Sequence, residues 1–409
     1  MNLINQKINK ELAYYVFFAI SSFFMIFGIN FSFFVFLNIL KKNIINRSLN
    51  IFRINGKYGL IIITFILGAV LSSFSTLKME SDEFFFSSLS VLPNYVYWGI
   101  LLLLMISLSR NYLIDYLMIF KYISISFLVV ILYYFFLQDI IANKFFFKKF
   151  LENNFAFLML CFTPYVVFYV KKRFSFFRAF LFLLIILIIM LYESRRAGFV
   201  LVLLGGFYSL IEHRIKFFSI KNIIINILIV LAFFSFMQLN FTKKIIYQNS
   251  ERIYNSIYNS EDLTYDRSSL VRKAMIEKGL ILFSDNIFFG VGLNNFQRSD
   301  ALIKGDFQGS EFVVDKDIFQ NISSHNSYVN ILAEGGLFLA VPFYLLFIFI
   351  IFDISKSFNI LSSVDKVIFA SFLCMSIHLF FINGIINSLA WLNVALALTS
   401  VLRIKNYLK

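Results

Sequence analysis

Long apolar runs separated by short basic or polar breaks make up most of the chain. Runs of membrane-spanning length or close to it lie near 12–40, 58–76, 95–108, 112–137, 154–170, 179–193, 197–212, 222–240, 327–352, 367–383 and 385–402. A helix that crosses a bilayer needs about 20 mostly apolar residues. The pattern therefore predicts an all-α integral membrane protein, a polytopic bundle of 11–12 transmembrane helices. The uncertainty in the count sits in the first run, which Gly28 and Asn30 interrupt. It is one tilted helix or a hairpin of two short ones. It is too long for a cleavable signal peptide, and no small-residue cleavage pattern follows it. Pro342 falls inside the run 327–352 and is expected to bend it.

The breaks between runs orient the bundle. Segment 41–57 carries Lys41, Lys42, Arg47, Arg53 and Lys57 without an acid, and 171–178 carries Lys171, Lys172, Arg173 and Arg178. Arg214, Lys216 and Lys221 lie in 212–221, and Arg403, Lys405 and Lys409 in the tail. Basic loops stay on the cytoplasmic side. The loop with Glu80, Asp82 and Glu83, the turn at 193–196 and the long segment 241–326 then fall outside, and the C-terminus inside. The N-terminus is also inside if the first run is a hairpin, which Lys7 and Lys10 favour.

Composition narrows the class. Of 409 residues, 60% are hydrophobic and 15% charged, against about 45–50% and about 25% in soluble domains. A soluble globule and a disordered chain are both excluded. The net charge of +14 is distributed as membrane topology rather than as a nucleic-acid surface. Both cysteines, Cys161 and Cys374, lie in apolar runs, which argues against a disulfide framework or a thiolate metal site.

Segment 241–326 differs from the rest. It holds ten basic and eleven acidic residues, a net charge of −1. The pattern divides the chain into a bundle at 1–240, a large, partly helical extracytoplasmic loop at 241–326 and C-terminal membrane helices at 327–409. Loops this long are usually functional or disordered. Apolar residues at Leu270, Ala274, Ile276, Leu280 and Ile281 predict a helix over Ser268–Leu282, capped by Asp266 or Ser268. The turn Gly290-Val291-Gly292-Leu293-Asn294-Asn295 follows. No Walker or Rossmann glycine pattern is present.

Three places carry candidate chemistry. His325 lies where the loop returns to the membrane. Ser323 or Ser324 could cap the helix beginning there, which would put His325 in its first turn. The positive helix end would keep its imidazole neutral and able to act as a general base. The alternative is a polar helix start with an incidental histidine. Arg195 and Arg196 stand in an outer turn, where basic residues are normally depleted. They either snorkel to the interface or bind phosphate oxygens through their planar forks. Arg267, ahead of the loop helix, is a further phosphate candidate, or a partner of Asp266. The acid pairs Glu80/Asp82 and Asp315/Asp317 could hold a divalent metal, but such pairs are common in loops. Asp115 and Lys121 could mark an ion path, although snorkelling fits their interfacial positions better.

At these residues the chain resembles the bacterial O-antigen polymerase and O-antigen ligase superfamily. Ser194-Arg195-Arg196-Ala197-Gly198 is similar to the family's Ser-Arg-small motif at the end of a span. Arg267 through Phe296 is similar to its arginine, helix and Gly-x-Gly segment, here ending in Gly290 and Gly292. His325-Asn326-x-Tyr328 with Glu334 and Gly336 fits the spacing of histidine, ten residues and glycine. Two positions depart from the pattern. Val271 stands where Trp is common, and Asn286-Ile287-Phe288-Phe289 replaces a Pro-containing approach to the glycines. Both departures bear on the register of Arg267 more than on that of His325.

The resemblance implies a glycosyltransferase in the inner membrane with its site facing the periplasm. The implied donor is a glycan on undecaprenyl pyrophosphate and the implied acceptor a sugar hydroxyl. The substrates meet within membrane lipid, with a chain-length regulator as a possible partner and no nucleic acid. It also implies His325 as base, Arg195 and Arg267 as pyrophosphate ligands with Arg196 in reserve, and Asn326, Tyr328, Glu334, Gly336, Gly290 and Gly292 in support. Inversion at the anomeric carbon is expected, and no metal or other cofactor is required. A polymerase for O-antigen or capsule is the preferred reading. The alternatives are a ligase acting on lipid A–core, a flippase or other transporter, and a metal-dependent transferase using Glu80 and Asp82. A flippase would place charges at the membrane midplane, whereas the polar cluster here is external.

Overall fold

A computed structural model of the chain describes residues 2–20, 25–26, 29–46, 56–78, 82–111, 113–137, 152–192, 196–211, 267–299, 301, 324–383 and 388–407. Among the described residues the fold is all-α apart from one minimal hairpin. In chain order the helices are α1 (Asn2–Ile20), α2 (Phe31–Asn46), α3 (Lys57–Ser75), α4 (Asp82–Asn111), α5 (Tyr116–Leu132) and α6 (Glu152–Arg173). They continue as α7 (Phe176–Tyr192), α8 (Arg196–Ile211), α9 (Arg267–Asp285), α10 (Ser327–Lys356), α11 (Ser363–His378) and α12 (Ser388–Tyr407). Among the described residues, five helical stretches are long and apolar enough to cross a membrane: 57–75, 82–109, 116–136, 155–173 and 327–356. The chain is a multi-pass membrane protein.

The first apolar run is a hairpin. Strands β1 (Met25–Ile26) and β2 (Ile29–Asn30) pair antiparallel between α1 and α2, with Asn30 opposite Met25. The predicted loop helix at 268–282 is α9. The predicted span at 222–240 and most of the loop, including Asp315 and Asp317, lie outside the described residues.

Polar contacts fix how the helices alternate. Tyr58 Oη donates to Asp353 Oδ2 at 2.7 Å and to the Phe349 carbonyl, and Lys57 pairs with Asp353 at 2.9 Å. The start of α3 therefore lies against the end of α10. Arg403 of α12 pairs with Asp365 of α11 and stacks over Tyr116 of α5. Lys171 donates to the Leu210 carbonyl, and Asn9 bonds the Leu113–Asp115 link. These contacts gather Lys57, Lys171 and Arg403 at one end of the bundle. The opposite end collects the end of α3, the starts of α4, α6 and α10, and the end of α11. His325 is at that opposite end.

Inside the bundle, one set of buried polar groups forms a continuous chain of bonds. Tyr165 Oη donates to Asn393 Oδ1 at 2.6 Å, Asn393 Nδ2 to Ser371 Oγ at 2.9 Å, and Ser371 Oγ to the Cys161 carbonyl. This chain of bonds ties α6, α11 and α12 together where no water competes. Trp98 and Trp391 stack at 5.3 Å. Cys161 and Cys374 are buried and free. Asp115 caps α5, accepting from Met118 N at 3.1 Å, and Lys121 is exposed on that helix.

Two sequence expectations are corrected at α10. The cap is Asn326, whose Oδ1 accepts from Tyr328 N at 3.0 Å and Val329 N at 3.1 Å. His325 thus precedes the helix instead of occupying its first turn. The break in α10 falls at Gly336, with φ 57° and ψ −162°, while Pro342 stays inside helical backbone. Proline lacks only one donor, whereas the residues around Gly336 form backbone bonds to another segment. Asn326→Ala removes an acceptor for two N–H groups. It is expected to cost about 1 kcal/mol, read as a lowered melting temperature of the detergent-purified protein.

Candidate active site

The segment leading into α10 is held by short polar bonds. Ser324 Oγ accepts from Asn326 N at 3.3 Å and donates to the Asn326 carbonyl at 2.9 Å. Between them His325 adopts φ 48°. A left-handed backbone is uncommon for a residue with a Cβ and costs on the order of 1–3 kcal/mol. Local bonds and the helix cap impose it. The imidazole is partly buried, and its pKa is lowered from 6.5 by burial and then by the positive charge of Arg272. The shift is in the direction that favours the neutral imidazole, and its causes are burial and a cation rather than a helix end.

Arg272 is the cation that the sequence reading passed over. It lies on α9 five residues after Arg267, at the departure marked by Val271. Its signal was a basic residue on the predicted loop helix. Arg267 is the first residue of α9 and Arg196 the first of α8. The side chains of both, and Arg195 entirely, lie outside the described residues. Arg272→Gln removes a positive charge beside the imidazole, which makes imidazolium less costly. The His325 pKa is then expected to rise, and an imidazole NMR titration checks it. An unchanged midpoint would show that Arg272 does not act on His325.

Below His325 a backbone seam joins α10 to the Gly-x-Gly turn. Val291 N donates to the Ala333 carbonyl at 2.9 Å and Gly292 N to the Glu334 carbonyl at 3.0 Å. Beyond the break, Leu337 N donates to the Ile287 carbonyl at 2.8 Å and Phe338 N to the Phe288 carbonyl at 3.1 Å. Gly336 thus interrupts α10 so that its peptide groups can pair sideways. A Cβ at Gly336 would lie 2.4–2.5 Å from the backbone of Phe288 and Phe289, and one at Gly290 2.4–2.5 Å from that of Glu334 and Ala333. The spacing of Gly290 and Gly336 reflects this close approach of two backbones.

Glu334 completes the joint. Its buried carboxylate accepts from Phe296 N at 3.2 Å, and its carbonyl also accepts from Ser72 Oγ at 2.7 Å. The start of α4 holds the turn from the other side. Ser88 Oγ donates to the Leu293 carbonyl at 2.9 Å, Asn295 Nδ2 to the Phe84 carbonyl at 3.0 Å, and Arg298 pairs with Glu83 at 3.0 Å. Asp82 is exposed on the first turn of α4, and Glu80 lies outside the described residues. Gly279 lets α9 approach Val329, where a Cβ would meet Val329 Cγ1 at 2.2 Å. Ala274, Met275, Val291, Phe296 and Ala333 are buried together. Through these contacts the turn and α10 hold α9, and its Arg272 acts on His325.

Tyr328 is used by the fold. Its Oη donates to the Ser376 carbonyl at 2.8 Å, and its ring packs on Phe380 at 4.3 Å. Ser327 N donates to the Leu379 carbonyl at 2.8 Å, and Ser327 Oγ to the Ile382 carbonyl at 2.7 Å. The end of α11 is thereby fastened beside the His325 segment. A shallow cleft lined by Asn5, Asn9 and Asp115 belongs to the basic end, away from these residues.

The arrangement supplies a neutral imidazole and a guanidinium at one end of a membrane bundle, on a rigid mount. Residues 154–344, which include His325, Arg272 and all the motif glycines, match the family model described as O-Antigen ligase. No curated protein matches the chain.

Proposed function

We propose, from its membership of the O-antigen ligase and polymerase superfamily through residues 154–344, that this chain is a surface-polysaccharide polymerase. It moves a glycan from undecaprenyl pyrophosphate to a sugar hydroxyl of a lipid-linked repeat unit. Under the positive-inside rule the end bearing Lys57, Lys171 and Arg403 is cytoplasmic and the His325 end faces the periplasm of the inner membrane. The observation that carries the reading is the His325 imidazole, held in a left-handed backbone ahead of α10, with burial and the Arg272 charge lowering its pKa.

A sugar hydroxyl is a weak nucleophile, and His325 takes its proton as the oxygen attacks the anomeric carbon. The bond from that carbon to the pyrophosphate breaks on the opposite face, so configuration inverts. The pyrophosphate leaves with the bonding electrons. Its growing negative charge is met by Arg195 and Arg267, with Arg196 in the same role, through bidentate contacts in a site that excludes water. No step needs a metal. Asn326, Glu334, Gly290, Gly292 and Gly336 hold the geometry, and a chain-length regulator is a possible partner.

The description of the matched family favours a second reading, a ligase that transfers the same donor to lipid A–core. Deleting the chain separates the two. Loss of a polymerase leaves single repeat units on the surface core. Loss of a ligase leaves none and accumulates lipid-linked glycan. Unchanged surface glycan after deletion would overturn both.

A further inference from the structure

Most buried polar side chains in this bundle are bonded; among the described residues Asn295, Asn330, Asn383 and His378 keep buried side-chain atoms without a hydrogen-bond partner, and His378 is the imidazole among them, on a backbone bonded to that of the candidate base. His378 ends α11 and is 5% exposed, and its Nδ1 is buried without a hydrogen-bond partner among the described residues. Its ring stacks on Phe157 at 6.0 Å with 20° between planes. The next residue, Leu379, accepts from Ser327 N at 2.8 Å. The backbones carrying His378 and His325 are therefore joined by one hydrogen bond, one residue from the first and two from the second.

A histidine serving only the fold would be expected to bond. Tyr328, Ser371, Asn393 and Tyr165 on the surrounding elements all do. Burying an imidazole nitrogen without a partner opposes folding, and a phenylalanine would fill the same place against Phe157 without that cost. The fold gains packing from the ring and nothing from its nitrogen. A neutral imidazole offers one donor and one acceptor, which is also what a sugar hydroxyl offers. A cation would suit the pyrophosphate better.

We infer that His378 is a second functional imidazole of this site, a residue that hydrogen-bonds a hydroxyl of the acceptor glycan while His325 deprotonates the attacking one. The inference rests on the reading of His325 as base given above. It adds an acceptor-binding position on α11, outside the motif segments that suggested the site.

The test uses the full chain reconstituted in lipid, with polyprenyl-pyrophosphate-linked repeat units extracted from cells lacking this protein. His378→Phe keeps the stack on Phe157 and removes the nitrogens. Loss of one such bond is expected to raise the KM for acceptor about 3- to 10-fold, with kcat changed much less. His378→Asn restores a donor and an acceptor and should recover most of the loss. A purely structural role would lower protein yield and melting temperature without selectivity for acceptor KM.

A measurement on the unsubstituted protein runs in parallel. The chain has three histidines, so single substitutions assign each imidazole nitrogen signal. Added repeat units should shift the His378 signal. An unshifted signal overturns the inference, even where His378→Phe fails to fold, and so does a wild-type acceptor KM in His378→Phe. The parent reading fails separately: full activity in His325→Ala removes the base, whereas an inactive His325→Ala beside a fully active His378→Phe removes only the acceptor role.

Discussion

His325→Ala is expected to stop glycan transfer while the protein remains inserted and folded. A positioned general base contributes about 10²–10⁴-fold. The alternative proton acceptor at this end is water, a much weaker base than imidazole. The substitution also relieves little that the fold needs. The bonds that shape the segment belong to Ser324 and Asn326, and the imidazole is only partly buried. Alanine will occupy the left-handed backbone at a cost similar to histidine's. The readout is the length distribution of surface glycan, together with the melting temperature of the purified variant. Normal-length glycan from His325→Ala would remove the assigned role. pH gives a second view. Burial and Arg272 hold the imidazole pKa below 6.5, so the base form persists through neutral pH. The rate should be flat there and fall only as acid protonates His325.

Gly336→Val is expected to have a comparable effect by another route. Its φ of 57° with ψ −162° is a backbone region that side chains avoid. The new Cβ would also sit 2.4–2.5 Å from the backbone of Phe288 and Phe289, which cannot yield as a side chain can. Together these cost on the order of several kcal/mol, a large part of a typical domain's stability. The expected result is loss of transfer with a sharply lowered melting temperature. Gly335→Ala is the comparison. Its Cβ would meet the Leu339 Cβ and Cδ2 at 2.4 Å but no backbone, and its φ is not left-handed, so a smaller loss is expected. Equal stability of Gly336→Val and the unaltered protein would show that the close approach is not needed.

The spans were legible because a bilayer makes one simple demand, an apolar stretch of sufficient length. The loop helix was legible from its 3.6-residue period. The start of α4 was not. The sequence places a run at 95–108, whereas the helix begins at Asp82. Ser88 and Glu83 make that stretch look like a solvated loop. Their polarity is directed at Leu293 and Arg298 instead, about 200 residues further on, and no local pattern can reveal such partners. The break at Gly336 escaped for the same reason. Proline carries a visible bending signal, whereas a glycine that pairs with a distant turn is visible only once that turn is in place. At the candidate site, His325 was singled out because histidine is scarce and its spacing to Gly336 is distinctive. Arg272 was missed because the arginine pattern pointed to Arg267.

The seam at Gly336 also limits how this protein can move during turnover. Separating α10 from the turn would strand eight peptide groups of four backbone bonds in surroundings with little water to replace them, each at roughly 1–3 kcal/mol. Thermal motion will not supply that once per catalytic cycle. The turn therefore works as a fixed jamb rather than a swinging door.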